Sequence, residues 1–318
     1  MDINRKKNFV AMISVVSNTA LVAAKLAIGL LIGSISVISE AIHSGVDVFA
    51  AIIAVAGVRQ SGQPADRQHA YGHGKFENLS GLIQALLIFI AAGWIVWEAI
   101  HKLLHPQALD APGWGIFIMA ISSIVNGLVA WMLFKVGNKT DSLALKADAW
   151  HCLTDVYTSM GVMAGLLLIQ LGDLFFRNHD HAWIDPVAAI LVALLIVKAA
   201  WDLTVQSLQD LLDQSIPPVE EKKIKEILEA KYPRVIGFHN FRTRKSGATR
   251  FVEFHLLVNP QMPVKDSHAL HHDIASEIRS HFSETEVMVH IEPCLRNCSE
   301  RCEANCFDRK FLAKGNHV

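Results

Sequence analysis

Apolar residues dominate six stretches of the chain, near 9–32, 36–58, 78–104, 113–135, 143–172 and 184–206. Each is long enough to cross a bilayer as a helix, so the pattern predicts six transmembrane helices with both termini on one side. Gly33-Ser34 leaves so little chain between the first two helices that they must be antiparallel neighbours. From Pro217 the pattern becomes that of a small soluble unit. Pro217-Pro218-Val219-Glu220-Glu221 opens a helix reaching about Tyr232, with proline at its start and acids in its first turn. Residues 235–244 and 249–258 alternate about Lys245-Ser246-Gly247-Ala248 and read as a hairpin. A helix over about 264–282 and a strand at 286–292 complete α-β-β-α-β, a two-layer α+β unit of ferredoxin-like type. The expected division is a membrane domain at 1–213, a cytosolic domain at 214–293 and a cysteine-rich tail at 294–318.

Charge orients this arrangement. Arg5, Lys6 and Lys7 precede the first helix; Arg59, Arg67 and Lys75 flank the second loop; Lys135, Lys139 and Lys146 surround the fourth. The other side has little beyond Lys102 and Arg177, so both termini are expected in the cytoplasm. No cleavable signal peptide is evident, since Met1 to Asn8 leads straight into a full-length apolar helix. The mean hydropathy of +0.31 and 52% hydrophobic residues are too apolar for an ordinary soluble domain. A net charge of −1 provides no basic field for nucleic acid. Lys25 interrupts the first helix, with Asn18 on nearly the same face, and is expected to snorkel or to pair inside the bundle. His179, Asp180 and His181 read as a solvated polar loop.

Two apolar stretches carry ionisable pairs of the same spacing. His43 and Asp47 are four apart, as are His151 and Asp155, so each pair shares a helix face one turn apart. Ionisable groups at membrane depth are costly, and a repeated pair argues for a purpose. Two such helices packed together offer two imidazoles and two carboxylates, the tetrahedral N/O set that zinc prefers. Glu40 and Asp148 share these faces and read as supporting or helix-pairing groups, and Cys152 reads as a small buried hydrophobe. Two aspartates cancel the charge of a dication. Without it they repel one another in a low dielectric, and they or the histidines take up protons. Metal and proton therefore compete for one set of groups, the minimum chemistry of an exchanger.

Two further sets lie outside the apolar stretches. Asp66, His69 and His73 fall within one short loop and offer three ligands with an open position. In the soluble unit, His239 and His255 fall on the hairpin strands, while His290 and Glu292, two apart, share a face of the last strand. His268 begins the second helix and joins this cytosolic set, whereas His271 and His272 behind it read as a solvated helix face. In the tail, Cys294, Cys298, Cys302 and Cys306 recur every four residues; on a helix they would form a drifting stripe of thiolates open to a soft metal.

Taken together, the motifs His43-x-x-x-Asp47, His151-x-x-x-Asp155, Asp66-x-x-His69-Ala70-Tyr71-Gly72-His73-Gly74-Lys75 and Gly237 to Gly247 resemble the cation diffusion facilitator family of divalent metal transporters. The resemblance covers nearly the whole chain. It implies a homodimer in a lipid bilayer whose second and fifth helices bind the transported ion and exchange it for protons. It also implies a binuclear, dimer-stabilising site at His239, His255, His268, His290 and Glu292, with Zn2+ as both substrate and structural or regulatory ion. Lys75 and Asp213 match positions of a charge interlock between the halves of such dimers. Glu292 stands where some relatives carry aspartate, and its longer side chain puts bridging of two ions in question. Iron, manganese, cobalt and cadmium remain alternative substrates, because such N/O sites discriminate weakly by affinity. An intramembrane metalloenzyme is disfavoured, with no His-Glu-x-x-His and no spare base beside an open position. A membrane-anchored metal sensor leaves the buried His/Asp pairs without a role.

Overall fold

The computed structural model describes residues 3–32, 35–104, 113–175, 184–282, 284–295 and 305–312. The chain divides into two compact units, Met1–Gln209 and Asp210–Val318.

The apolar stretches fold as six long helices: α1 (Ile3–Ile32), α2 (Ile35–Ser61), α3 (Lys75–Leu104), α4 (Gly113–Thr140), α5 (Leu143–Phe175) and α6 (Ile184–Leu211). Among the described residues, α1, α2, α3, α4 and α6 are long and apolar enough to cross a membrane. Alanine lets the helices approach closely. Ala11 of α1, Ala130 of α4, and Ala144 and Ala149 of α5 lie fully buried with Val55 and Val58 of α2 in one core. A second core joins Ala85, Ile88 and Ala92 of α3 to Ala147 of α5 and to Ile196 and Ala200 of α6. Gly57 is where α2 meets α3 most tightly, since a Cβ there would collide with the Ser80 side chain. Phe49, Ile90, Trp94, Leu128, Leu195 and Trp201 point outward, leaving an apolar exterior suited to lipid.

The helices outrun the apolar stretches at several ends, and α3 shows why. It begins at Lys75 rather than near 78, because Glu77 is 1% exposed and belongs to the interior. Its carboxylate accepts hydrogen bonds from Lys7 Nζ of α1 at 3.3 Å, from Ser61 Oγ of α2 at 3.4 Å, and from Ser142 Oγ just before α5. Four helix ends are thus tied to one acid.

The second unit runs α7 (Pro218–Glu229), β1 (Gly237–Ser246), β2 (Thr249–Val258), α8 (Val264–His281), β3 (Thr285–Pro293) and a short α9 (Phe307–Leu312). The α-β-β-α-β order is the one the sequence predicts. β1 and β2 pair antiparallel, and β3 pairs parallel to β2 after the α8 crossover. Strand alternation sorts the sheet into two faces. Phe238, Val252, Phe254 and Leu256 face a core completed by Ile224 and Leu228 of α7 and by Leu270, Ile274 and Ile278 of α8. The positions between them, His239 and His255, turn to the other face. Arg250 clamps α7 to β2 through a two-pronged bond to Glu220, at 2.7 and 2.8 Å.

The tail does not form one cysteine-bearing helix. Cys294 follows β3, its backbone N–H bonded to Val258 O at 2.8 Å, while Cys306 bridges to Gly237 on the edge of β1 and is buried. A Cβ at Gly237 would sit 2.7 Å from Asn305 O, so only glycine admits the tail there. Cys298 and Cys302 lie outside the described residues, as do residues 33–34 and the 176–183 loop with His179, Asp180 and His181.

Candidate metal centres

In the helical unit, Asp47 of α2 and His151 of α5 meet. His151 Nε2 stands 3.0 Å from Asp47 Oδ1, with the residues 4% and 7% exposed respectively. One turn further along α5, Asp155 accepts a hydrogen bond of 3.0 Å from Asn126 Nδ2 of α4. The sequence pattern did not single out Asn126, although an asparagine buried mid-span was a signal in itself. The His43 and Glu40 side chains lie outside the described residues. His151 Nδ1 has no hydrogen-bond partner among the described residues, and Asp148, three residues before it on α5, is fully buried. An imidazole and carboxylates gathered away from water form a donor set suited to a dication. Lys25 does not snorkel: it is 4% exposed and donates to Ser44 Oγ at 2.7 Å.

The loop between α2 and α3 gathers its three candidates. Asp66 Oδ1 accepts the backbone N–H groups of Gln68 and His69 at 2.8 and 2.7 Å, which fixes the turn. Its carboxylate then lies 3.6 Å from His69 Nδ1 and 3.4 Å from His73 Nε2. His73 Nδ1 lies 3.1 Å from Pro64 O, which can only accept, so this nitrogen donates and Nε2 is the ring atom turned to Asp66. The N–H from His69 holds the Asp66 carboxyl below its usual range; burial works against it, and Gln68 and the nearby imidazoles reinforce it. The acid is therefore ionised and available as a ligand.

The third centre is a rung across the sheet. His239 of β1 pairs in register with His255 of β2, and His255 with His290 of β3. Glu292, two residues beyond His290, reaches back along the same face. Its Oε2 lies 2.9 Å from His239 Nε2, and its Oε1 lies 2.8 Å from His255 Nδ1 and 3.5 Å from His290 Nε2. The two oxygens of the longer glutamate thus address different imidazoles. A bulge follows His239, where Asn240 takes a left-handed φ of 48° and interrupts the ladder beside the site before pairing resumes at Arg242. His268 lies on α8 beside His271 and His272, while His239, His255 and Glu292 gather on the sheet. Asp213, expected in an interlock, lies 3.6 Å from Arg244 Nη1.

Burial pushes the Glu292 carboxyl up, but hydrogen bonds from His239 and His255, with their charges, outweigh it and hold the group below its ordinary 4.5. A carboxyl depressed in the folded state adds stability that is fully present above its unfolded value and is lost as pH falls through the folded one. Glu292→Gln should therefore be less stable than the parent chain at neutral pH, with the gap closing on acidification below about 4.5. Thermal unfolding of the purified chain across that window checks this. A gap that stays constant with pH would contradict it.

The chain matches the family model of the cation efflux transmembrane domain over residues 11–212 and that of the cation efflux protein cytoplasmic domain over 216–294. It is 32% identical over 283 residues to an uncharacterized transporter of Synechocystis, covering 89% of each chain. It is also 32% identical over 288 residues to the cation-efflux pump FieF of Salmonella arizonae, covering 88% of this chain and 93% of that one. Among solved structures, the metal-bound C-terminal domain of the CzcD transporter from Thermotoga maritima is 28% identical with a TM-score of 0.23, covering 24% of this chain and 94% of that one.

Proposed function

The chain belongs to the cation efflux family, the cation diffusion facilitators, and on that premise we propose that it exports zinc from the cytoplasm in exchange for protons. It is an integral membrane cation efflux transporter rather than an enzyme. The observation that carries the zinc reading is the buried 3.0 Å contact between Asp47 and His151, which joins α2 to α5 through one carboxylate and one imidazole.

In this reading α5 is the sixth span, and its charges are tolerated because they face the interior. His43, Asp47, His151 and Asp155 hold the transported ion, with Asn126 orienting Asp155. The two aspartates neutralise the dication inside the bundle, and in its absence the same groups accept protons. Exposure of the set to alternate sides then couples zinc leaving the cytoplasm to protons entering it. Imidazole together with carboxylate in a four-ligand set favours zinc over metals that want six oxygens.

Asp66, His69 and His73 form a cytoplasmic loop site with an open position. His239, His255, His268, His290 and Glu292 form a resident site on a ferredoxin-like domain through which two copies of the chain pair, and Zn2+ is the ion that suits both. Lysine and arginine bias places both termini in the cytoplasm.

Zinc entry into proteoliposomes with an acidic lumen tests the exchange. Uptake should collapse when an ionophore removes the pH difference, and excess iron, manganese, cobalt or cadmium should compete poorly. Zinc uptake indifferent to the proton gradient would overturn the exchange, and manganese or iron outcompeting zinc would overturn the substrate.

A further inference from the structure

β1 lies at one edge of the sheet, and the tail returns to pair with it. Cys306 bridges antiparallel to Gly237, the Phe307 N–H donates to Ile236 O at 2.8 Å, and the Phe238 N–H donates to Asn305 O at 3.4 Å. Phe307 then turns inward, 4% exposed, with its ring centroid 5.8 Å from that of Phe238 in the core that α7 and α8 complete. Lys310, one turn further, pairs with Glu229 at the end of α7. This strap lies beyond 216–294, the span of the cytoplasmic family domain. We propose that the strap formed by Asn305, Cys306 and Phe307 positions His239 for metal, so that strap docking and zinc binding at the sheet rung stabilise one another.

Three observations carry this. His239 follows directly on the three residues that the strap pairs, and its imidazole is the one that Glu292 Oε2 meets at 2.9 Å. On its other side comes the bulge at Asn240, with pairing to β2 resumed only at Arg242. The strap thus fixes the approach to a ligand whose far side the ladder leaves unpaired. Second, the two backbones meet closely, since a Cβ at Gly237 would lie 2.7 Å from Asn305 O, so a shift of the strap is felt by the β1 backbone two residues before the ligand. Third, among the described residues the strap is held by two backbone hydrogen bonds, one buried ring and the Lys310–Glu229 pair. A terminal element held in this way opens locally, without unfolding the domain. A ligand that favours the closed form is, by linkage, bound more tightly by it. The coupling rests on the reading of His239, His255 and Glu292 as a metal site and adds to it a residue set from outside the sheet.

Cys306 is 8% exposed in the docked strap, so its alkylation reports release. Peptide-resolved alkylation of Cys306 in the full chain in detergent, with and without saturating Zn2+, reads strap opening, and zinc titration of the same protein reads the site. Zinc should slow Cys306 alkylation about tenfold in the parent and leave the rate unchanged in the rung variant His239→Ala/Glu292→Ala. Phe307→Ala should weaken the rung-dependent zinc binding by about the same factor, and Phe307→Leu, which keeps an apolar anchor, should restore most of it. The alkylation arm alters no strap residue, so it decides the matter whether or not Phe307→Ala folds. Rung-dependent zinc binding with an unchanged Cys306 rate would overturn the coupling alone. Protection that persists in the rung variant would overturn it too, since zinc would then be meeting the tail thiols directly. Zinc binding that does not depend on the rung residues would overturn the metal-site reading and the coupling together.

Discussion

Replacing His151 by alanine should lower zinc flux in proteoliposomes by at least about a hundredfold. The substitution removes an imidazole from the transported ion and also leaves Asp47 buried without the ring nitrogen now 3.0 Å away. Losing a charged group's partner in a dry setting costs about 3 kcal/mol, and each 1.4 kcal/mol is tenfold in binding. Asn126→Ala provides the graded comparison. It leaves every proposed ligand in place but removes the Asn126 hydrogen bond to Asp155 Oδ2, and should cost about tenfold. Flux assays on protein matched for monodispersity measure both. If His151→Ala kept half the parental rate, the contact between α2 and α5 would be a packing feature and the transport reading would fail.

The second large effect is on stability. Glu77→Ala should lower the melting temperature of the detergent-solubilised chain by on the order of 10 °C. It removes the carboxylate that Lys7, Ser61 and Ser142 all address, and leaves the Lys7 ammonium, 4% exposed, buried without it. Breaking a buried pair by deleting one partner costs about 3–5 kcal/mol. Glu77→Gln keeps the shape and two of the acceptor contacts, so its loss should be smaller and of the same sign. Scanning fluorimetry distinguishes them, and a shift under about 2 °C for the alanine variant would mean that water already reaches Lys7.

The residues best read from sequence are those whose chemistry conflicts with their surroundings. Asp47, His151 and Asp155 stand out because acids and imidazoles are expensive in apolar helices, and the four-residue spacing fixes a shared face. The same reasoning underweights Glu77, since an acid immediately before an apolar run looks interfacial until Lys7 is brought to it from α1. Alternation places His239, His255, His290 and Glu292 on one face of the sheet. The alignment of the three histidines on a single rung also requires the pairing register, which the bulge at Asn240 alters beyond His239. On α8, periodicity shows that His268, His271 and His272 share a side but not that two ring nitrogens approach within 3.1 Å, so a solvated face was the natural reading of the latter two. In the tail, the four-residue recurrence of cysteine suggests a helical stripe. Cys306 is held by a backbone bridge at Gly237, a contact no spacing rule announces.

The rung also bears on how the cytosolic unit folds. Because β3 enters parallel to β2, its alignment is set without the help of a tight turn, and sliding it by one place would carry His290 and Glu292 to the side occupied by Val289 and Ile291. An ion held jointly by β1, β2 and the end of β3, as proposed above, would reward a single alignment; such a metal would act as a proofreader of strand register, and chains assembled without it are the ones from which mispaired forms should be recovered.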